Sequence, residues 1–421
     1  MASHWDDLGL VMIYIAAVTY MILPTEVLSF IDRMIYGEWP GKAGDKITEL
    51  LNLLAIASSI LLFWWGTRGR SSHLNRALPL AAAGLLVISV LWSVAPSTTM
   101  TRSIAYLFLV VGAIGIAEIF DADEVMRLTA LIGGFSAAIS LVLPDAAAAI
   151  TGSFRGAFPG KNQLGAAMVI GVLSGLHSMR VARRRRFIYI GITLLCTVVA
   201  ILSKSETSLV TILALYVFNV IGQIYVKGGI NRIISMFAAL LATLAFIIFM
   251  WNINLLYSFL DKDPTLTGRT EFWPYIIDDI YQRPLLGWGF TAFWMLPNPA
   301  AEEIFAMIRY PINEAHNGLL QLLLDVGVVG TAFFLFLWVR NFAMAVKCIN
   351  GPAPALGVSS LALLIGILLM GVTEQVLTTA DVWTTQFFML GFMCEKQLEL
   401  ARQARSAVAL RPARPAALQK A

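Results

Sequence analysis

Apolar stretches close to the length of a bilayer crossing recur about every 30 residues along nearly the whole chain, with short polar segments between them. Lipid offers the backbone no hydrogen-bond partners, so a segment that crosses it must satisfy its own N–H and C=O groups, and a helix does so internally. This pattern fixes the fold class as an all-α polytopic membrane protein. Composition agrees. The 421 residues are 58% hydrophobic and only 13% charged, whereas a soluble chain needs about a quarter charged residues to cover its surface.

Twelve candidate spans follow: Leu8–Leu23, Ile47–Gly66, Ala77–Ala95, Ser103–Phe120, Val125–Leu143, Asn162–Met179, Phe187–Leu202, Ser208–Val226, Ile230–Trp251, Asn317–Val339, Leu356–Thr373 and Val382–Cys394. Trp5, Asp6 and Asp7 stand where a cleaved signal would carry basic residues, so the first span is expected to remain as an anchor. Residues 1–401 read as one integral membrane domain, and the Ala-, Arg- and Pro-rich residues 402–421 as a disordered basic tail. The three cysteines are far apart and form no CxxC or Cys/His spacing, which supports neither a disulfide nor zinc.

Twelve spans place both termini on one side. With that side cytoplasmic, 19 of the 30 Lys and Arg residues lie inside, among them the run "RVARRRR" and the tail. That run reads as a topology anchor between two spans rather than a nucleic-acid patch. One long periplasmic loop then remains, residues 252–315, too long and too varied in composition for a mere connection. Within it a helix is expected from Thr270 to about Gln282, capped by Thr267 or Thr270 and stopped by Pro284. Phe272, Trp273, Ile276, Ile277, Ile280 and Tyr281 recur at helical spacing opposite Asp278 and Asp279, which suits a helix lying on the membrane, with Trp273, Trp288 and Trp294 at interfacial depth. The glycines of "GWGF" suit a close approach by a ligand.

Basic residues are disfavoured in short outer loops, yet Arg102, Arg155, Lys161 and Lys204 fall there, and the long loop adds Arg269, Arg283 and Arg309. As a set they suit an anion site, because guanidinium forks match phosphate oxygens and lysine adds a point charge. The bland alternative is headgroup contact or pairing with Glu206 and Glu271. His316 is the one histidine on this face; it suits either an interfacial hydrogen bond or a proton acceptor. No second His or Cys is placed to make it a metal ligand. Asp325, nine residues further into the same span, reads as a structural partner too deep to touch the histidine.

Four segments in order, "LWSVAPSTTMTRS", "FRGAFPGKNQLG", "LTGRTEFWPYIIDDIYQRPLLGWGFTAFW" and "EAHNGLLQLLLDVGVVG", resemble the O-antigen ligase and polysaccharide polymerase superfamily, most closely its exopolysaccharide-polymerase branch. The resemblance runs from Leu78 to Phe392. It implies a twelve-helix enzyme of the bacterial inner membrane with a periplasmic active site. Such an enzyme transfers a glycan from undecaprenyl pyrophosphate to a hydroxyl, with inversion and without metal or cofactor. On this resemblance Arg155, Lys161 and Arg269 hold the pyrophosphate and His316 is the activating histidine, as base or phosphate clamp. Arg283 and Arg309 match less closely, and Asn162, Asn317, Asp325 and Arg102 are supporting residues. The implied partners are a lipid-linked oligosaccharide, membrane lipids and a chain-length regulator or export complex. A polymerase would use a second lipid-linked chain as acceptor and a ligase a lipid A core sugar; "GKNQLG" favours the polymerase. A transporter is the rival from another class, but transporters gather ionisable groups near the midplane. Here Asp325 is the main such residue.

Overall fold

A computed structural model describes residues 2–25, 45–68, 76–143, 152–251, 269–309 and 312–409. Among these residues every regular element is helical. The helices are α1 (Ala2–Ile22), α2 (Asp45–Thr67), α3 (Ala77–Ile88), α4 (Pro96–Ile119), α5 (Ala122–Val142), α6 (Lys161–Val181) and α7 (Arg186–Ser203). They continue with α8 (Glu206–Val226), α9 (Ile230–Trp251), α10 (Arg269–Gln282), α11 (Pro299–Ile308), α12 (Gly318–Ile349), α13 (Pro354–Met370) and α14 (Val382–Ala409). Each of the twelve expected spans falls on one of these helices. Seven of them are long and apolar enough to cross a membrane, and four more carry shorter apolar stretches, Gly9–Ile22, Ala77–Trp92, Ile230–Leu244 and Pro354–Met370. The last helix runs to Ala409, several residues into the segment expected as a disordered tail; residues 410–421 lie outside the described residues.

Local sequence explains the helix starts. Pro96, Pro299 and Pro354 each sit in the first turn, where a missing N–H costs nothing. Asn317 caps α12, its side-chain oxygen accepting from the Leu319 and Leu320 amides at 3.0 Å. Small residues set the closest helix contacts. A Cβ at Gly115 would stand 2.4 Å from the backbone carbon of Leu62, so α2 and α4 touch main chain to main chain.

The helix ends form two polar layers. At one end Lys396 donates to the carbonyls of Ala117, Glu118 and Phe120 at the terminus of α4, placing a cation where the helix dipole is negative. Arg76–Glu118 and Arg340–Glu395 pair there at 2.9 Å. His177, wholly buried, lies between Ser359 and Asp123 at 2.9 and 3.0 Å. The other end carries the loops preceding α6, α8 and α12 and the turn after α13.

That second end also carries a separate apolar core built by α10, the loop after it, α11 and the first part of α12: Phe272, Ile276, Ile280, Trp288, Phe293, Trp294, Ile304 and Leu324 among others. Trp288 and Trp294 belong to this core, and Trp273 packs against it. Trp288 is 6% and Trp294 4% exposed, and Trp273, Trp288 and Trp294 each donate an indole N–H to Ala315 O, Asp279 O and Gln321 Oε1 respectively. The rings can be covered because a partner for each N–H lies within the protein. Asp279 sits on the buried side of α10 with Ile276 and Ile280, while Ile277 and Tyr281 are exposed, so the helix faces inward by a register shifted from the sequence reading. Burial raises the Asp279 carboxyl to about 6, helped by Glu303 and Asp278.

Candidate functional site

The span expected as one continuous helix from Asn317 to Val339 is broken. Gly327 has φ 62° and ψ −167°, a conformation essentially confined to glycine. The loop after α10 inserts at this break. Trp288 N donates to Leu324 O at 2.7 Å and Gly289 N to Asp325 O at 3.1 Å, while Val328 N and Val329 N donate to Pro284 O and Leu285 O at 2.8 and 3.2 Å. The loop thus supplies the backbone partners that the interrupted helix lacks. The "GWGF" glycines are used here. A Cβ at Gly287 would meet Leu324 O at 2.5 Å, and one at Gly289 would meet the Ser93 side chain at the same distance. Their close approach is to the protein's own chain.

The break fixes the residues that precede α12. Asp325, fully buried, accepts from Gln321 Nε2 at 3.0 Å. Gln321 Oε1 in turn accepts from the Ala315 amide at 2.9 Å. The Ala315 carbonyl accepts from Trp273 Nε1 at 3.0 Å. Ala315 is therefore held at both its N–H and its C=O, and the next residue, His316, adopts φ 50°. A non-glycine residue enters that region at a cost and stays there when its surroundings over-determine it. Asp325 does not touch His316; it is linked to it through Gln321.

The turn after α13 closes the site. Gly318 N donates to Gly371 O at 2.8 Å, Asn317 Nδ2 to Val372 O at 3.2 Å, and the Thr373 and Thr207 hydroxyls meet at 2.5 Å. Asn162, in the first turn of α6, donates to Glu374 Oε1 at 2.9 Å. Glu314 Oε1 lies 3.1 Å from His316 Nδ1. That nitrogen is buried and off the line of a hydrogen bond, so the contact is electrostatic. One ligand atom each from Glu314, His316 and Glu374 falls within 4.8 Å of the others.

These two glutamates escaped sequence reasoning, which sought only His or Cys beside the histidine. Glu314 stands two residues before His316 in "NEAHNG", and Glu374 follows the end of an apolar span in "GVTEQV"; an acid just beyond a span on the same face was the available signal. With two carboxylates present, the ligand chemistry at His316 is richer than the expected lone imidazole.

The expected cations divide. Lys161 is exposed at the first position of α6, next to Asn162. Arg155 is half-buried in the loop ahead of it, a loop fastened by Phe154 N to Leu202 O at 3.4 Å and by Ala157 N to Ser140 Oγ at 3.2 Å. Asn162 thus joins the "FRGAFPGKNQLG" loop to the His316 side of the site. Arg102 is exposed near the start of α4, where Thr99 bonds to Phe290 O at 2.9 Å. Arg283 stacks over Trp288 at 4.2 Å and reaches Trp92 O at 3.4 Å; these contacts brace the inserted loop. Arg309 is exposed and ends α11 in a left-handed conformation. Arg269 opens α10, and its side chain lies outside the described residues, as do Thr267 and residues 252–268 of the long loop.

Two comparisons with known proteins bear on this arrangement. Residues 191–335, which include the inserted loop and His316, match the family model described as O-antigen ligase. Over 273 residues the chain is 26% identical to the exopolysaccharide production protein ExoQ of Rhizobium meliloti (strain 1021), covering 61% of this chain and 62% of that protein. The match therefore spans under two thirds of the relative's length.

Proposed function

We propose a membrane glycosyltransferase that moves a glycan from undecaprenyl pyrophosphate to a hydroxyl acceptor, a reading supported by the match to the O-antigen ligase family model and by the similarity to an exopolysaccharide production protein. The preferred reading is a polymerase whose acceptor is a second lipid-linked chain; ligation to a lipid A core sugar is the alternative. In this reading all twelve apolar segments cross the inner membrane, the termini are cytoplasmic, and residues 252–315 and the His316 site face the periplasm. The transfer inverts the anomeric carbon and runs without metal.

The observation that carries the reading is the meeting of three separated loops at one end of the bundle. His316 stands on its clamped loop, Glu374 on the turn after α13, and Asn162 beside Lys161 at the start of α6. Arg155, Lys161 and Arg269 take the pyrophosphate oxygens. Charge grows on those oxygens as the leaving group departs, so fixed cations favour the transition state over the ground state. His316 acts at the acceptor hydroxyl, taking the proton released as the new C–O bond forms. Asp325, Asn317 and Gln321 keep the histidine's loop in place. A chain-length regulator or export complex is the proposed protein partner.

The test uses purified full-length protein with one undecaprenyl-pyrophosphate oligosaccharide and no other acceptor, its products resolved by gel. A ladder of longer glycans, absent with His316→Ala, is the expected result. Transfer seen only when lipid A core is supplied would select the ligase reading. A folded protein inactive in both assays, yet moving lipid-linked glycan across proteoliposomes, would overturn the enzyme reading.

A further inference from the structure

We infer that Glu314 is a positioning residue for His316, turning the imidazole toward the acceptor hydroxyl and stabilising the imidazolium formed during transfer. This inference rests on the transferase reading above.

Three observations carry it. Glu314 Oε1 is 3.1 Å from His316 Nδ1, and the glutamate side chain is only 13% exposed. A carboxylate covered to that degree needs a partner, and among the described residues His316 is the one that meets it. The loop bearing both side chains is held by the Gln321 and Trp273 bonds to Ala315, the residue between them. The carboxylate and the ring are therefore presented to each other by one rigid peptide. Finally, Nδ1 is shielded from outside while the ring as a whole is 23% exposed, which leaves the far side of the ring for substrate. A carboxylate this close to Nδ1 favours positive charge on the ring, and Nε2 on the far side is left for chemistry.

The proton balance is simple. The acceptor oxygen bonds to the anomeric carbon as the bond from that carbon to the pyrophosphate oxygen breaks. The hydroxyl proton passes to Nε2, and undecaprenyl pyrophosphate leaves with the bonding electrons. The new positive charge on the ring then faces Glu314, with Glu374, held by Asn162, as the second acid beside it.

The experiment measures transfer by full-length protein in lipid nanodiscs, supplied with undecaprenyl-pyrophosphate oligosaccharide, across pH and after dialysis against a chelator. Glu314→Gln keeps the side-chain shape. The expected result is a fall in kcat on the order of 10²-fold, with the donor KM within about twofold and an altered pH profile. Glu314→Asp should restore part of the rate, and serves as the reading if Glu314→Gln fails to fold. A wild-type kcat and pH profile in Glu314→Gln, beside an inactive His316→Ala, would overturn this inference and leave the transferase reading intact. So would activity lost on chelation and restored by Mg²⁺, because Glu314, His316 and Glu374 would then be cation ligands. Absence of transfer by the wild type would instead strike the transferase reading itself.

Discussion

Replacing Gly327 by alanine tests whether the break in α12 is built into the fold. The new Cβ would lie 2.4 Å from the carbonyl carbon and oxygen of Leu285 and 2.5 Å from Leu286 N. These are backbone atoms, which cannot turn aside as the end of a side chain would. The backbone conformation itself costs a residue with a Cβ about 1–3 kcal/mol, and overpacking adds roughly 1–3 kcal/mol. Relief by withdrawing the loop would break up to four cross-segment hydrogen bonds, at about 1 kcal/mol each. Strain and overpacking together give an expected loss of about 2–6 kcal/mol, a large share of the 5–15 kcal/mol typical of a domain. Thermal unfolding in detergent, followed by tryptophan fluorescence, reads the effect through Trp288 and Trp294. Gly84→Ala is the control, because nothing lies within 4 Å of a Cβ built there, and that variant should match or slightly exceed the wild type. If Gly327→Ala melts with the wild type, the insertion of the loop into α12 is wrong.

Further predictions concern the site and its support. Arg155→Ala should lower transfer on the order of 10²-fold if it holds a pyrophosphate oxygen, measured as initial rate at saturating acceptor. Asn162→Ala removes one hydrogen bond to Glu374 and should cost about 1 kcal/mol in orientation, a several-fold fall in rate with the melting midpoint nearly unchanged. Arg283→Ala should lower the midpoint more than the rate, since its contacts are Trp288 and Trp92. For Asp279 the sign follows from a carboxyl raised to about 6: the folded state holds its proton more tightly than the unfolded one, so stability falls as pH rises from about 4 through 6. Asp279→Asn should therefore gain most over the wild type above pH 6, up to about 2–3 kcal/mol, and thermal melts at pH 5 and 7.5 check it.

The helices were legible because apolar periodicity and length are local properties of the chain, and α10 was placed within a residue of its ends, with Pro284 just beyond it, although Thr270, offered as a cap, lies inside the helix. His316 and Asn162 were legible as polar residues at the mouths of spans. What stayed hidden depends on contacts between distant segments. The break at Gly327 resembles any glycine in an apolar helix until Pro284 and Leu285 are seen to fill it. That Trp288 and Trp294 are buried, with Asp279 O and Gln321 Oε1 accepting their N–H groups, depends on such contacts. Glu374 is 58 residues from His316 in sequence, and only the turn after α13 brings it close. The stacking of Arg283 over the ring of Trp288 likewise could not be read from the sequence.

The most direct test of the central claim counts leaving groups. Donor labelled separately in its lipid and its glycan is incubated with the full-length protein, and freed undecaprenyl pyrophosphate is compared with new glycosidic linkages. Transfer as proposed releases one lipid pyrophosphate for each linkage formed, and His316→Ala suppresses both together. Glycan that lengthens without lipid release, or lipid released at the same rate with no linkage made, would contradict it.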